Sequence, residues 1–153
     1  MKLIEQENAL RETLQKMEHL DLFLAFTLKK ASDGLVGNAK FRITVLGEDS
    51  NNNPMVTYSP VRVGRYSKMH AMERRAQGLQ TDYVDLTMSG DMMASFKVLS
   101  TDSSESEIGF DGDKEARKAL ENEYIFRTDI FNPTDDEAIE ALDFLEKEIE
   151  QLL

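Results

Sequence analysis

Pro133 is followed by Thr134-Asp135-Asp136-Glu137, and apolar residues then recur at Ile139, Leu142, Leu145, Ile149 and Leu152. A threonine with a glutamate three residues later makes a capping box, in which each side chain satisfies the other's free backbone N–H. The acids of that first turn sit at the positive end of the helix dipole. Steps of three and four place the apolar residues on one face, so residues 134–153 are expected to form an amphipathic helix. Such a stripe needs an apolar surface elsewhere in the chain.

The first 31 residues predict a second helix. Leu3, Leu10, Leu14, Met17, Leu24 and Leu28 follow similar steps, interrupted by Asp21, while Glu5, Glu7, Arg11, Glu12 and Lys16 fall mostly elsewhere. No glycine or proline interrupts the run, and Ser32-Asp33-Gly34 reads as its stop. Leu22, Phe23 and Phe26 widen the apolar surface, so that end is expected to be deeply buried or to meet more than one partner.

Strand patterns lie between these helices. Lys40–Leu46 alternates and is rich in β-branched residues; Gly47–Pro54 is turn-rich, and Met55–Tyr58 reads as the returning strand of a hairpin. Val84–Met88, Ala94–Leu99 and Ser106–Phe110 read as three more strands, the last two joined by the polar turn Ser100–Ser104. Asp113–Asn122 reads as a short helix and Tyr124–Phe131 as an aromatic connector. The expected architecture is α+β: one domain over residues 1–153, with an antiparallel sheet of about five strands and the C-terminal helix packed on that sheet.

Chemistry leaves few marks on this chain. It has no cysteine, and its two histidines, His19 and His70, are far apart and leave little for a zinc site. Asp82, Asp85 and Asp91 lack the run of oxygen ligands a calcium loop needs, and Asp111-Gly112-Asp113 reads as a solvated turn. Ser89-Gly90-Asp91 has the sound of a nucleophile motif, yet the only histidines lie in the first helix and in a basic loop. The turn reading has Gly90 at a positive φ and Ser89 or Asp91 capping the local backbone. No triad, phosphate loop or cofactor fingerprint is visible, so neither catalysis nor a cofactor nor a metal is expected. The longest dense apolar patch, Leu20–Leu28, contains Asp21 and is too short to span a bilayer. MKLIEQENAL carries acids where a signal peptide needs an apolar core, and an intracellular, soluble protein is expected.

Charge is spread unevenly. The formal net charge is −11, and residues 101–153 hold 17 acids against 5 bases. Residues 60–80 instead carry Arg62, Arg65, Lys68, Arg74 and Arg75 against Glu73. The stretch 59–81 is a long basic excursion with too few large apolar side chains for a core of its own, apart from a short helix near Ser67–Gln77. Three readings stand open: a solvated loop, an arm docking on a neighbour's acidic surface, or a face for DNA passing through a channel. The acidity of the chain argues against a tight grip on DNA. Met92 and Met93 are adjacent, so one is expected in the core and the other free to contact another subunit.

From Tyr58 to Leu153 the order of pieces resembles the tail-completion (virion morphogenesis) proteins of tailed bacteriophages. A long basic loop leads to Val84-Asp85-Leu86-Thr87-Met88-Ser89-Gly90-Asp91-Met92-Met93-Ala94-Ser95-Phe96, which is similar to that family's leucine, threonine-glycine, apolar, serine pattern, with Ser89 in the threonine's place. Glu107-Ile108-Gly109-Phe110 resembles its isoleucine-glycine-aromatic strand end, and Asp113–Asn122 sits where the family carries an Ala/Glu-rich helix. Arg127–Phe131 occupies the place of its arginine-proline-phenylalanine segment, without the proline. The resemblance implies a non-enzymatic virion subunit of the head–tail connector (neck) or tail-completion layer. It would form a homo-oligomeric ring, assembled in the host cytoplasm. Its partners would be further copies of itself, a head–tail adaptor, portal, or tail terminator or tube, with passing contact to DNA and none to membrane. The alternative is a small acidic binding protein that mimics DNA or inhibits a basic partner.

Overall fold

The computed structural model describes residues 2–152. Met1 and Leu153, at the outer ends of the two expected helices, lie outside the described residues, as do the side chains of Lys2 and Leu3. Helix α1 (Lys2–Phe41) has 40 residues and is about 60 Å long at 1.5 Å per residue. The stop expected at Ser32-Asp33-Gly34 does not occur. Asp33 instead meets Lys29, one turn back, at 2.6 Å. Ala31, Ser32, Val36 and Ala39 are buried, and their packing outweighs the roughly 1 kcal/mol that a glycine such as Gly34 or Gly37 costs inside a helix.

The strand expected over Lys40–Leu46 is also absent. Arg42–Leu46 continues α1 as one wider π turn, with Arg42 and Ile43 buried. Tertiary contacts override β-propensity readily. Here Arg42 pairs with Glu137 at 2.9 Å and donates to the carbonyls of Glu48, Ile130 and Asn132. The turn closes at Gly47, whose φ is +68° and whose N–H reaches the Arg42 carbonyl. A Cβ there would lie 2.9 Å from both Tyr83 Cδ2 and the Val84 carbonyl, so the position takes only glycine. Without its partner, Met55–Tyr58 forms no strand; Glu48 and Pro54 make a single isolated bridge.

The five-stranded sheet is therefore replaced by two antiparallel pairs. β1 (Arg62–Val63) pairs with β2 (Tyr66–Ser67), which runs into helix α2 (Lys68–Ala76). Ser67 caps α2 by accepting from the His70 N–H. Val84–Met88 is irregular, with Leu86 at φ +54°. Its backbone groups find side chains instead of a neighbouring strand: the Asp85 N–H donates to the Tyr66 hydroxyl, the Thr87 N–H to the Asp85 carboxylate, and the Thr87 carbonyl accepts from Arg74. Gly90, at φ +84°, then opens the one-turn helix α3 (Asp91–Ser95).

β3 (Phe96–Thr101) and β4 (Ser106–Phe110) form the second hairpin, in register from Phe96 opposite Phe110 to Thr101 opposite Ser106, with an irregularity at Leu99. Helix α4 (Asp113–Phe126) extends one turn beyond the expected helix and takes in the start of the aromatic connector. Helix α5 (Asp135–Leu152) begins at the expected capping box, with Thr134 N–H to Glu137 Oε2 at 2.9 Å and Glu137 N–H to Thr134 Oγ1 at 3.1 Å. It packs along the C-terminal part of α1, where Ala31, Gly34 and Leu35 share a groove with Ala141 and Phe144, and not on the sheet as expected. The β3–β4 hairpin packs on α1 as well. Phe96, Phe110 and Phe131 join the two halves of the core, their ring centroids 4.9–5.6 Å apart.

Candidate functional site

The basic segment is folded, and its arginines divide into two kinds. Arg74 is 1% exposed. Its Nη2 meets Asp85 Oδ2 at 2.8 Å, its Nη1 the Thr87 carbonyl at 2.7 Å and its Nε the Gln80 carbonyl at 2.9 Å. The guanidinium also lies 4.8 Å from the Tyr66 ring centroid, a stacked cation–π arrangement. Asp85 accepts in addition from the Tyr66 hydroxyl, the Gln80 amide and the Thr87 N–H. Burial alone would raise Asp85, but the Thr87 and Gln80 hydrogen bonds and the Arg74 charge outweigh it and hold the carboxyl below its usual range. The Tyr66 hydroxyl is pushed up to about 12, chiefly by burial, with the Asp85 charge adding to the effect. Arg74 thus organises the core.

Arg62, Lys68 and Arg75 are exposed and Arg65 is half-buried. Beside them Met69 and Met72, one helical step apart on α2, are 77% and 55% exposed. These side chains escaped the sequence reading, because they lie on the face of α2 opposite Ala71 and Arg74, whose burial only the fold reveals. Met92 and Met93 are both buried at 6%, against the expectation that one would face outward. The reason is α3, a single turn packed against α4 and the β3–β4 hairpin, which covers most of both side chains. The Asn122 amide approaches Met92 Sδ at 3.7 Å.

A cleft of about 460 Å³ separates α2 from α4, with Tyr66, Leu86 and Met92 among its lining residues and His70, Ser89 and Lys118 among the polar ones. Ser89 Oγ donates to Asp91 at 2.9 Å and receives the Asp91 N–H, so it holds the turn that Gly90 makes. The nearest acid to His70 Nδ1 is Glu73 at 3.7 Å. Lys118 is held by Glu115. Among the described residues no three His, Cys, Asp or Glu side chains converge as a metal site. No described helix is long and apolar enough to cross a membrane.

A long uncovered surface runs along α1 itself. From Ile4 to Leu22 every residue is exposed, a span of about 28 Å of bare helix. Leu10, Leu14 and Met17 form its apolar stripe at 61%, 51% and 58% exposure. Leu22 and Phe26, at the end of the expected helix that was to be deeply buried or to meet more than one partner, are also exposed. Ile139, Leu142, Ile149 and Leu152 make a further exposed stripe along the outer face of α5, and Leu120 and Tyr124 stand out from α4. No protein-family model, curated protein or solved structure matches the chain.

Proposed function

We propose that this chain is a non-enzymatic structural subunit that works by assembly, as a homo-oligomeric ring in the head–tail connector or tail-completion layer of a tailed-phage virion. The observation that carries the reading is the bare half of α1. A helix of that length with leucines and a methionine in water gains little from its own backbone, and uncovered apolar stripes of this extent mark contact surfaces. Uncovered apolar stripes on both α1 and α5 would let a subunit be held by more than one neighbour. The layer within the virion rests on the resemblance of residues 58–153 to tail-completion proteins.

The acids along α5 support the second reading, a DNA mimic, since Asp135, Asp136, Glu140, Asp143, Glu146 and Glu150 are all exposed. That reading leaves the α1 stripe without a role. Native mass spectrometry of the full chain separates the two. A ring subunit gives one defined higher oligomer; a mimic gives a monomer or dimer that binds a basic partner in a strongly salt-sensitive way. A chain that stays monomeric at every concentration and binds no neck component overturns the assembly reading.

A further inference from the structure

We infer that the methionine-centred basic face of α2 docks on the outer face of α5 in a neighbouring copy, and that this heterologous contact closes the ring. The inference rests on the assembly reading above and names the two surfaces that would meet.

The outer face of α5 presents Ile139 and Leu142, 55% and 63% exposed, beside the exposed acids Asp135, Asp143 and Glu146. Two copies of such a face repel each other, and so would α5 and the free half of α1, where Glu5, Glu7, Glu12, Glu18 and Asp21 outnumber Arg11 and Lys16. The acidic stripe needs a cationic partner with apolar centres. Within the chain the concentrated cationic surface is β1 to α2, where Arg62, Lys68 and Arg75 are exposed along with Met69 and Met72, and Glu73 is the sole acid of residues 60–80. That face cannot pair with itself either.

Each surface therefore excludes itself and fits the other. Two different patches on one chain make a head-to-tail contact, and such a contact closes into a ring when its rotation closes. The side chains suit the task. Unbranched methionines adapt to a partner's stripe, and Lys68, Arg75, Asp143 and Glu146 enter no ion pair within the described residues. Their charges are free to meet across an interface, where they set register and partner choice.

The test uses the full chain in two charge-reversed forms, Lys68→Glu with Arg75→Glu, and Asp143→Lys with Glu146→Lys. All four positions are exposed, so circular dichroism should show the wild-type helix content and report that both forms fold. Each form alone should lose the oligomer, with association weakened by about tenfold or more. An equimolar mixture should recover it, because each altered face then finds its complement. A second measurement needs no charge change. The chain has no cysteine, so Met72→Cys and Leu142→Cys, made in separate chains and mixed under oxidant, should join as a disulfide heterodimer.

If both reversed forms assemble as the wild type does, or the mixture fails to recover the oligomer, or the cysteine pair stays unlinked, the α2–α5 contact is wrong while the ring stands. A wild-type chain that is monomeric throughout removes the ring and this contact with it.

Discussion

Replacing Arg74 by methionine tests whether the cation is part of the core. The substitution keeps much of the volume and removes one partner of an ion pair in which Arg74 and Asp85 are 1% and 8% exposed at the side chain. Breaking a pair so buried costs about 3–5 kcal/mol, because the remaining charge stays behind without its counter-ion. Asp85 retains donors from Tyr66, Gln80 and Thr87, which moves the cost toward the lower figure. The Gln80 and Thr87 carbonyls lose the donor they now have, and an orphaned buried acceptor costs about 1–3 kcal/mol. These effects overlap, and about 4 kcal/mol is a fair net. With about 2 cal/mol/K per residue of unfolding entropy, a chain of this length should lose about 12 °C of melting temperature. Thermal unfolding followed by circular dichroism reads this directly. Arg75→Met, on the exposed face next door, should stay within about 0.5 kcal/mol of the wild type. The further double variant Arg74→Met with Asp85→Leu should recover part of the loss, since removing both charges leaves none buried alone. A single Arg74→Met chain melting within about 3 °C of the wild type would refute the assignment.

Three other outcomes follow from the same structure. Thr27 is buried and its hydroxyl has no hydrogen-bond partner; Thr27→Val should be neutral or stabilising by up to about 1 kcal/mol in urea unfolding, and a loss larger than that would show the hydroxyl to be satisfied. Leu14→Glu with Met17→Glu should abolish the assembled state in native mass spectrometry while leaving monomer stability within about 0.5 kcal/mol, because both side chains are already in water; an unchanged oligomer would show that the α1 stripe covers nothing. Tyr66 and Asp85 set opposite pH edges. Below the ordinary tyrosine value of 10.0 the Tyr66 contribution is fully present, and it is lost as pH rises towards about 12, since the unfolded chain ionises first. The Asp85 contribution is present above the ordinary carboxylate value of 3.8 and is lost as pH falls through its depressed folded value. Urea midpoints for Tyr66→Phe should therefore fall less steeply than those of the wild type on the alkaline side, and equal slopes would count against the assignment.

The elements that were legible in the sequence are those whose signals are local. The Thr134–Glu137 box, the short helix near Ser67–Gln77 and the strand Ser106–Phe110 each depend on signals within a few residues, and each appears as read. The failures share a different cause. Lys40–Leu46 and Val84–Met88 both alternate as strands should, yet the first contains Arg42 and the second is held by Arg74. A buried guanidinium has five donors to satisfy, and it takes backbone carbonyls from the segments around it. Arg42 binds those of Glu48, Ile130 and Asn132, all distant in number or lying past a turn. Which of the chain's 18 cations would be buried is a tertiary fact, and it decided two strands. Glu137 shows the two levels meeting: the same carboxylate that caps α5 locally also pairs with Arg42.

The candidate surface was legible to the same depth. The run of cations between residues 60 and 80 marks an unusual segment, but adjacent arginines on a helix point about 100° apart. Arg74 turns inward to Asp85 and Arg75 turns out to solvent. Reversing both charges together would therefore unfold the core and weaken any interface at once, and a lost oligomer would carry no information about contact. Lys68 and Arg75 are the informative pair, because their charge can change sign without a buried partner being left behind. Met69 and Met72 belong with them for the reason that Met92 and Met93 do not. A methionine contributes to a contact between subunits only where the fold leaves it bare, and α2 leaves two bare while α3 leaves none.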